Sequence, residues 1–198
     1  MKKEYDKCSL RIIKATYRLL QKENAEKTSI NQIAEEAGTN SRTIYRKFEN
    51  KKDIIDSTKD YYLKIFLDKL NEIFGFNGDE EIDEYLKNTF MKLKNLSDDD
   101  FRIIKISLDE VHDITERKSI ISKITDYVIE NLEEYFKLQK ENENLRTNVN
   151  IKTLSVVCFG VIFQSLILSR IYDKITNLDI DNYSKHYLDI LFNGIKPK

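Results

Sequence analysis

Residues 28–53 read TSINQIAEEAGTNSRTIYRKFENKKD, and this stretch decides the fold. Ser29 followed three residues on by Gln32 is a capping box. The Ser hydroxyl takes the third free amide of a helix, and the Gln side chain returns to the Ser amide. The spacing predicts a short helix over 30–37, ended by Gly38, because glycine closes a helix in the left-handed conformation without a Cβ penalty. Asn40 then caps a helix over 41–48, and Asn50 caps another with an acid, Asp53, at its third position. Three capped starts within 22 residues leave room only for short helices. Two of them joined by a short Gly-containing turn make a helix-turn-helix.

The segments outside this stretch are helical too. Leu10, Ile13, Tyr17 and Leu20 recur at helical spacing and predict a first helix over 5–22, with Asn24 as its stop. A long helix is expected over 51–74, closed by the Gly75-Phe76-Asn77-Gly78 break. Further helices are expected over 80–96, 98–113, 115–140, 151–172 and 180–192. The run Asp98-Asp99-Asp100 suits a helix start, where carboxylates offset the dipole. The chain of 198 residues holds one Pro and five Gly, too few turn residues for a strand-rich fold. The expectation is an all-α protein of about nine helices. Residues 1–50 would form a three-helix unit with the helix-turn-helix, and residues 51–198 a helical ligand-binding and dimerisation domain.

Composition restricts the function classes. The net charge is −1, yet residues 1–54 carry 13 Lys and Arg against 8 Asp and Glu. A basic front end is thus joined to an acidic body, which points to an anionic partner for the front end. Two cysteines, Cys8 and Cys158, make no disulfide framework and suggest a reducing, cytoplasmic setting. The most apolar run, 153–169, is short and interrupted by polar residues, so it reads as a buried helix rather than a membrane span. No HExxH, P-loop, GxSxG or paired-Cys motif occurs, so no catalytic residue, metal or cofactor is expected.

Within 41–48, Ile44 and Phe48 are four apart and apolar, so they face inward. Ser41, Arg42, Thr43, Tyr45, Arg46 and Lys47 are left outward, with a half-buried position as the other reading of Tyr45. Arg can pair two acceptors on guanine, and Ser or Thr can bond several base edges. Arg42 and Arg46 are therefore the candidates for direct base readout, assisted by Ser41. Lys51 stands at a helix N-terminus, whose free amides favour an anion. Ser29 and Asn31, at the start of another helix, can reach a phosphate backbone in the same way.

The whole 28–53 segment resembles the DNA-binding segment of the tetracycline-repressor (TetR) family of bacterial transcription regulators. Thr28, Ser29, Ile33, Ala34, Ala37, Gly38, Thr43, Ile44, Tyr45, Phe48 and Lys51 match its pattern. Ile12, Ala15 and Leu19 fit its first helix. Asn24-Ala25 stands where members often have Gly and an aromatic, Thr39-Asn40 replaces Val-Ser, and Lys47 replaces a frequent His. The resemblance places Thr43, Tyr45, Lys47 and Lys51 mainly on phosphates. It implies a ligand-responsive regulator, a repressor by the family's commonest pattern, that binds a near-palindromic operator as a homodimer and is released by a small-molecule effector.

The resemblance also implies dimerisation through the last two long helices. Val157, Val161, Leu168, Tyr183, Tyr187 and Leu191 are the candidate interface, against the alternative of an internal core. The helices between 55 and 172 would enclose the effector. Tyr62, Phe66, Phe90, Phe101, Tyr127 and Phe163 are the candidate aromatic lining, with His112 and Gln164 to orient a ligand; ordinary core is the competing reading of these aromatics. A helical adaptor of the same fold, acting through protein partners without DNA, is the alternative function.

Overall fold

A computed structural model describes residues 5–22, 25–78, 80–109, 120–171 and 180–193. Nine helices and no strand occur among these residues: α1 Lys7–Leu20, α2 Ile30–Glu36, α3 Ser41–Lys47, α4 Lys51–Phe74, α5 Ile82–Lys94, α6 Asp98–Asp109, α7 Ile120–Glu141, α8 Ile151–Ile171 and α9 Ile180–Asn193. The all-α expectation holds, and α4 has the bounds its caps foretold.

Side-chain caps set most of the helix starts. Asp6 caps α1, its Oδ1 accepting the Ser9 amide at 2.8 Å. Ser29 and Gln32 close their capping box at 3.2 and 2.7 Å. Asn40 accepts the Thr43 amide, and Asn50 the Asp53 amide, each at 2.9 Å. Each satisfies an amide that the first helical turn leaves without a partner. Asn150 does the same for α8 through Thr153, at 2.9 Å.

Some boundaries differ from the sequence reading. Helix α1 ends at Leu20 with Gln21 as its C-cap, ahead of Asn24, which lies outside the described residues. Helix α5 starts at Ile82 rather than 80, after Glu81. The expected end of α6 at 113 and start of α7 at 115 fall outside the described residues.

The chain forms two compact units. The first comprises Met1–Asp68 and Ser97–Lys123, the second Lys69–Leu96 and Ile124–Lys198. In the first unit Ile12, Ile13, Leu19, Ile33, Ala34, Ala37, Ile44, Phe48 and Ile54 form one core cluster. Its members come from all four of α1 to α4 and the turns between them. Each large aliphatic side chain removed from water there contributes roughly 1.5–3 kcal/mol before chain entropy is counted. Buried Thr16 and Thr58 donate to the carbonyls of Ile12 and Ile54, so no hydroxyl is stranded in that core.

Helix α2 passes to α3 through residues 37–40. Gly38 has φ +59°, and a Cβ there would meet nothing within 4 Å. The glycine is required by the backbone alone: any Cβ in this left-handed conformation costs about 1 kcal/mol.

In the second unit Tyr85 and Tyr135 stack with centroids 3.7 Å apart, and Phe76 meets both rings edge-on. Their hydroxyls donate to the carbonyls of Phe74 and Glu80, at 3.1 and 3.0 Å. Gln139, fully buried, also donates to the Glu80 carbonyl at 3.2 Å. Among the described residues no buried side-chain N or O atom lacks a partner, so this polar cluster stiffens the core without an unpaired group.

Candidate nucleic-acid interface

Helix α3 carries the site. Ile44 is fully buried and Phe48 nearly so, which fixes the helix's rotation about its axis. The opposite face then presents Arg42, Tyr45 and Arg46 to solvent. Tyr45 is 59% exposed, so the half-buried reading of it does not hold. Thr43 and Lys47 are half-buried on the flanks.

Several expected site residues are held by neighbours. Ser41 donates to the Oδ1 of Asn31 at 2.9 Å, joining the first turns of α3 and α2. Ser29 spends its hydroxyl oxygen on the Gln32 amide. Lys51, first residue of α4, donates to the carbonyl of Glu26 at 3.0 Å. Lys47 pairs with the α1 cap, Asp6. Its ammonium holds the Asp6 carboxyl far below the ordinary carboxylate range. Arg18 of α1 pairs with Glu36 at the end of α2, at 2.6 Å, and lowers that carboxyl too. These ties brace α2 and α3 against α1 and leave Arg42 and Arg46 outside the bracing.

Sequence reasoning missed Asp6. Its signal was local: an Asp three residues before Ser9, ahead of a periodic apolar run, is a helix N-cap. Its ion pair spans 41 residues and has no sequence signature.

The candidate effector residues are divided between the units. Tyr62 and Phe66 line a cavity of about 350 Å³ in the first unit with Lys14, Tyr17, Arg18, Arg102 and Ile103. The rings of Tyr62 and Tyr17 stack there at 3.5 Å, and burial raises both phenols. Phe101 is buried core of the same unit. Phe90, Tyr127, Phe163 and Gln164 lie in the second unit. Phe90 is buried, and Phe163 stacks on Phe159. Tyr127 donates to Asn71 at 3.1 Å, and Gln164 is exposed. His112 lies outside the described residues.

Of the candidate interface residues, Val157 is 46% exposed and Val161 half-buried. Tyr187 donates to the thiol of Cys158 at 3.4 Å. Leu191 and Val157 line a groove of about 690 Å³ with Phe136, Arg146 and Leu154. The side chains of Leu168 and Tyr183 lie outside the described residues. Val156 and Ile190 are exposed on the same two helices, a signal that the sequence reading passed over. No metal-holding group of His, Cys, Asp or Glu occurs among the described residues, and no described helix is long and apolar enough to cross a membrane.

With only helices among its described residues, a capped helix-turn-helix and an outward arginine pair, the chain has the architecture of the helix-turn-helix class. More particularly, it carries the segment of the tetR family of bacterial regulatory proteins, whose family model matches residues 12–58. Its fold is that of TetR-family transcription regulators. The fatty acid degradation regulator FadR from Bacillus halodurans superposes with a TM-score of 0.69 at 20% identity, covering 99% of this chain and 100% of that one. FadR from Bacillus subtilis, solved in complex with stearoyl-CoA, gives 0.61 at 18%, covering 94% and 99%. GusR from Salmonella enterica gives 0.72 at 12%, covering 94% and 95%. A search of curated proteins finds no match. The matched family and the similar structures are transcriptional regulators rather than enzymes.

Proposed function

We propose that the protein is a ligand-responsive transcription repressor that binds a near-palindromic operator as a homodimer. The observation that carries this reading is the face of α3. Arg42, Tyr45 and Arg46 are exposed while Ile44 and Phe48 anchor the helix from behind. In this arrangement Arg42 and Arg46 read base edges, and Thr43, Tyr45, Lys47, Lys51, Ser29 and Asn31 hold phosphates. Residues 1–50 are the DNA-binding domain and 51–198 the effector and dimerisation domain.

One helix-turn-helix touches few base pairs, so specific affinity calls for two copies on two half-sites. Exposed Val156, Val157 and Ile190 give α8 and α9 the apolar surface such pairing needs. The effector acts by binding one state of the dimer better than the other, which shifts DNA affinity by about 1–3 kcal/mol. The similar structure solved with stearoyl-CoA makes a long-chain acyl-CoA the effector to test first.

The test is selection of bound fragments from random duplex DNA, with and without stearoyl-CoA. The expected result is an enriched, two-fold symmetric site whose binding weakens steeply with salt. Enrichment of no site at low salt overturns the DNA reading; equal binding with and without stearoyl-CoA removes that effector.

A further inference from the structure

Asp6 holds two partners at once. Its Oδ1 accepts the Ser9 amide at 2.8 Å, and its Oδ2 takes the Nζ of Lys47. Lys47 is the last residue of α3, so the pair joins the start of α1 to the end of the recognition helix. Both side chains remain open to water, 53% exposed for Asp6 and 26% for Lys47. The resembled family often carries His at the Lys47 position, so the lysine end of the pair is this chain's own.

We propose that Asp6 is an affinity-setting residue of the DNA-binding surface: its carboxylate occupies the Lys47 ammonium in the free protein, and a DNA phosphate must displace it. This rests on the DNA-binding reading above, and on Lys47 as a phosphate contact. Carboxylate and phosphate oxygens compete for the same ammonium protons, since both accept charge-assisted hydrogen bonds from it. An exposed pair is weak, so the exchange is affordable and the effect is graded rather than a block. An Asp carboxyl is anionic at neutral pH and the Lys47 ammonium only favours that form further, so the competition is present there. Phosphate contacts carry no sequence information, so all duplexes are weakened alike while base readout is untouched.

The variant Asp6→Asn keeps an acceptor for the Ser9 amide, because Asn caps helices as well as Asp. It removes the charge and replaces the oxygen facing Lys47 with an N–H donor, so the ion pair is lost while the cap is kept. Binding to the selected operator and to a random duplex is measured by fluorescence anisotropy across a salt series, in the wild-type and Lys47→Ala backgrounds. The expected result is a gain of about two- to fivefold on both duplexes at low salt. The gain shrinks as salt is added and vanishes in Lys47→Ala. Unchanged or weaker binding by Asp6→Asn overturns the proposal. So does an equal gain in Lys47→Ala, which would mark a general charge effect. Failure of the wild-type protein to bind any duplex at low salt overturns the DNA-binding reading and this proposal with it; binding without the gain removes the proposal alone.

Discussion

The hydroxyl of Ser41 donates to the Oδ1 of Asn31 at 2.9 Å, so the opening residue of α3 is tied to the second residue of α2. A phosphate only accepts, so the exposed Asn31 carboxamide could meet one only through its two N–H donors, and the Ser41 bond to its oxygen fixes which way they point. Ser41 becomes the residue that aims them. Ser41→Ala and Asn31→Ala are therefore expected to be non-additive in DNA binding, with a coupling of about 0.5–1 kcal/mol. Operator titrations of both single variants and the double variant check this. Strict additivity would give the two residues separate roles.

Arg42 and Arg46 should differ in kind from Lys51. Replacing either arginine with Ala is expected to relax base preference at one operator position by about 1–3 kcal/mol. Lys51→Ala should weaken every duplex alike and reduce the salt slope by about one. Lys51 also donates to the Glu26 carbonyl, so thermal melting is recorded beside binding to separate a lost contact from a loosened fold. An Arg46→Ala variant with unchanged affinity and preference removes base readout from that residue.

Val157 and Ile190 are 46% and 52% exposed on α8 and α9. A carboxylate placed at either would be desolvated in a paired apolar face, whereas in a monomer it would stay in water. Val157→Asp and Ile190→Asp are expected to shift the protein from dimer to monomer in sedimentation velocity at micromolar concentration, with the helical circular dichroism retained. Variants that sediment as the parent does would place the interface elsewhere.

Burial pushes the Cys158 thiol from 9.0 up to about 11, partly opposed by the hydrogen bond from Tyr187. Between these values the folded chain keeps a proton that the unfolded chain has released. Stability is then fully present below pH 9 and falls as pH rises towards 11, by an amount on the order of 2 kcal/mol. Tyr17, Tyr85 and Tyr135 are raised by burial too and add their own alkaline loss. Cys158→Ala isolates the thiol: its urea midpoint should fall less than the wild-type midpoint between about pH 8 and about pH 10. Parallel falls would show that the thiol is not buried in solution.

The fold was legible where local chemistry decides it. Ser29, Asn40 and Asn50 cap their helices through bonds to amides three residues on, and the spacing of Ile44 and Phe48 gave the buried side of α3. The candidate site was legible in its residues but not in their ties. Asp6 with Lys47, Ser41 with Asn31 and Arg18 with Glu36 join different helices, and nothing in periodicity or capping reports such a pair. The aromatics were ambiguous for another reason: an inward ring looks the same in sequence whether it meets a cavity, as Tyr62 and Phe66 do, or packed core, as Phe101 does.

The side chains of Arg42, Tyr45 and Arg46 are exposed, while the cap, the anchors and the flanking ties of α3 all lie at other positions. The helix therefore works as a cassette in which letters and binding are separate. In the proposed reading its two base-reading positions, Arg42 and Arg46, and the phosphate-holding Tyr45 can change during evolution, or by design, with little penalty in folding. On the proposed DNA-binding reading, a new operator preference is then within reach of a few substitutions on a scaffold that stays as it is.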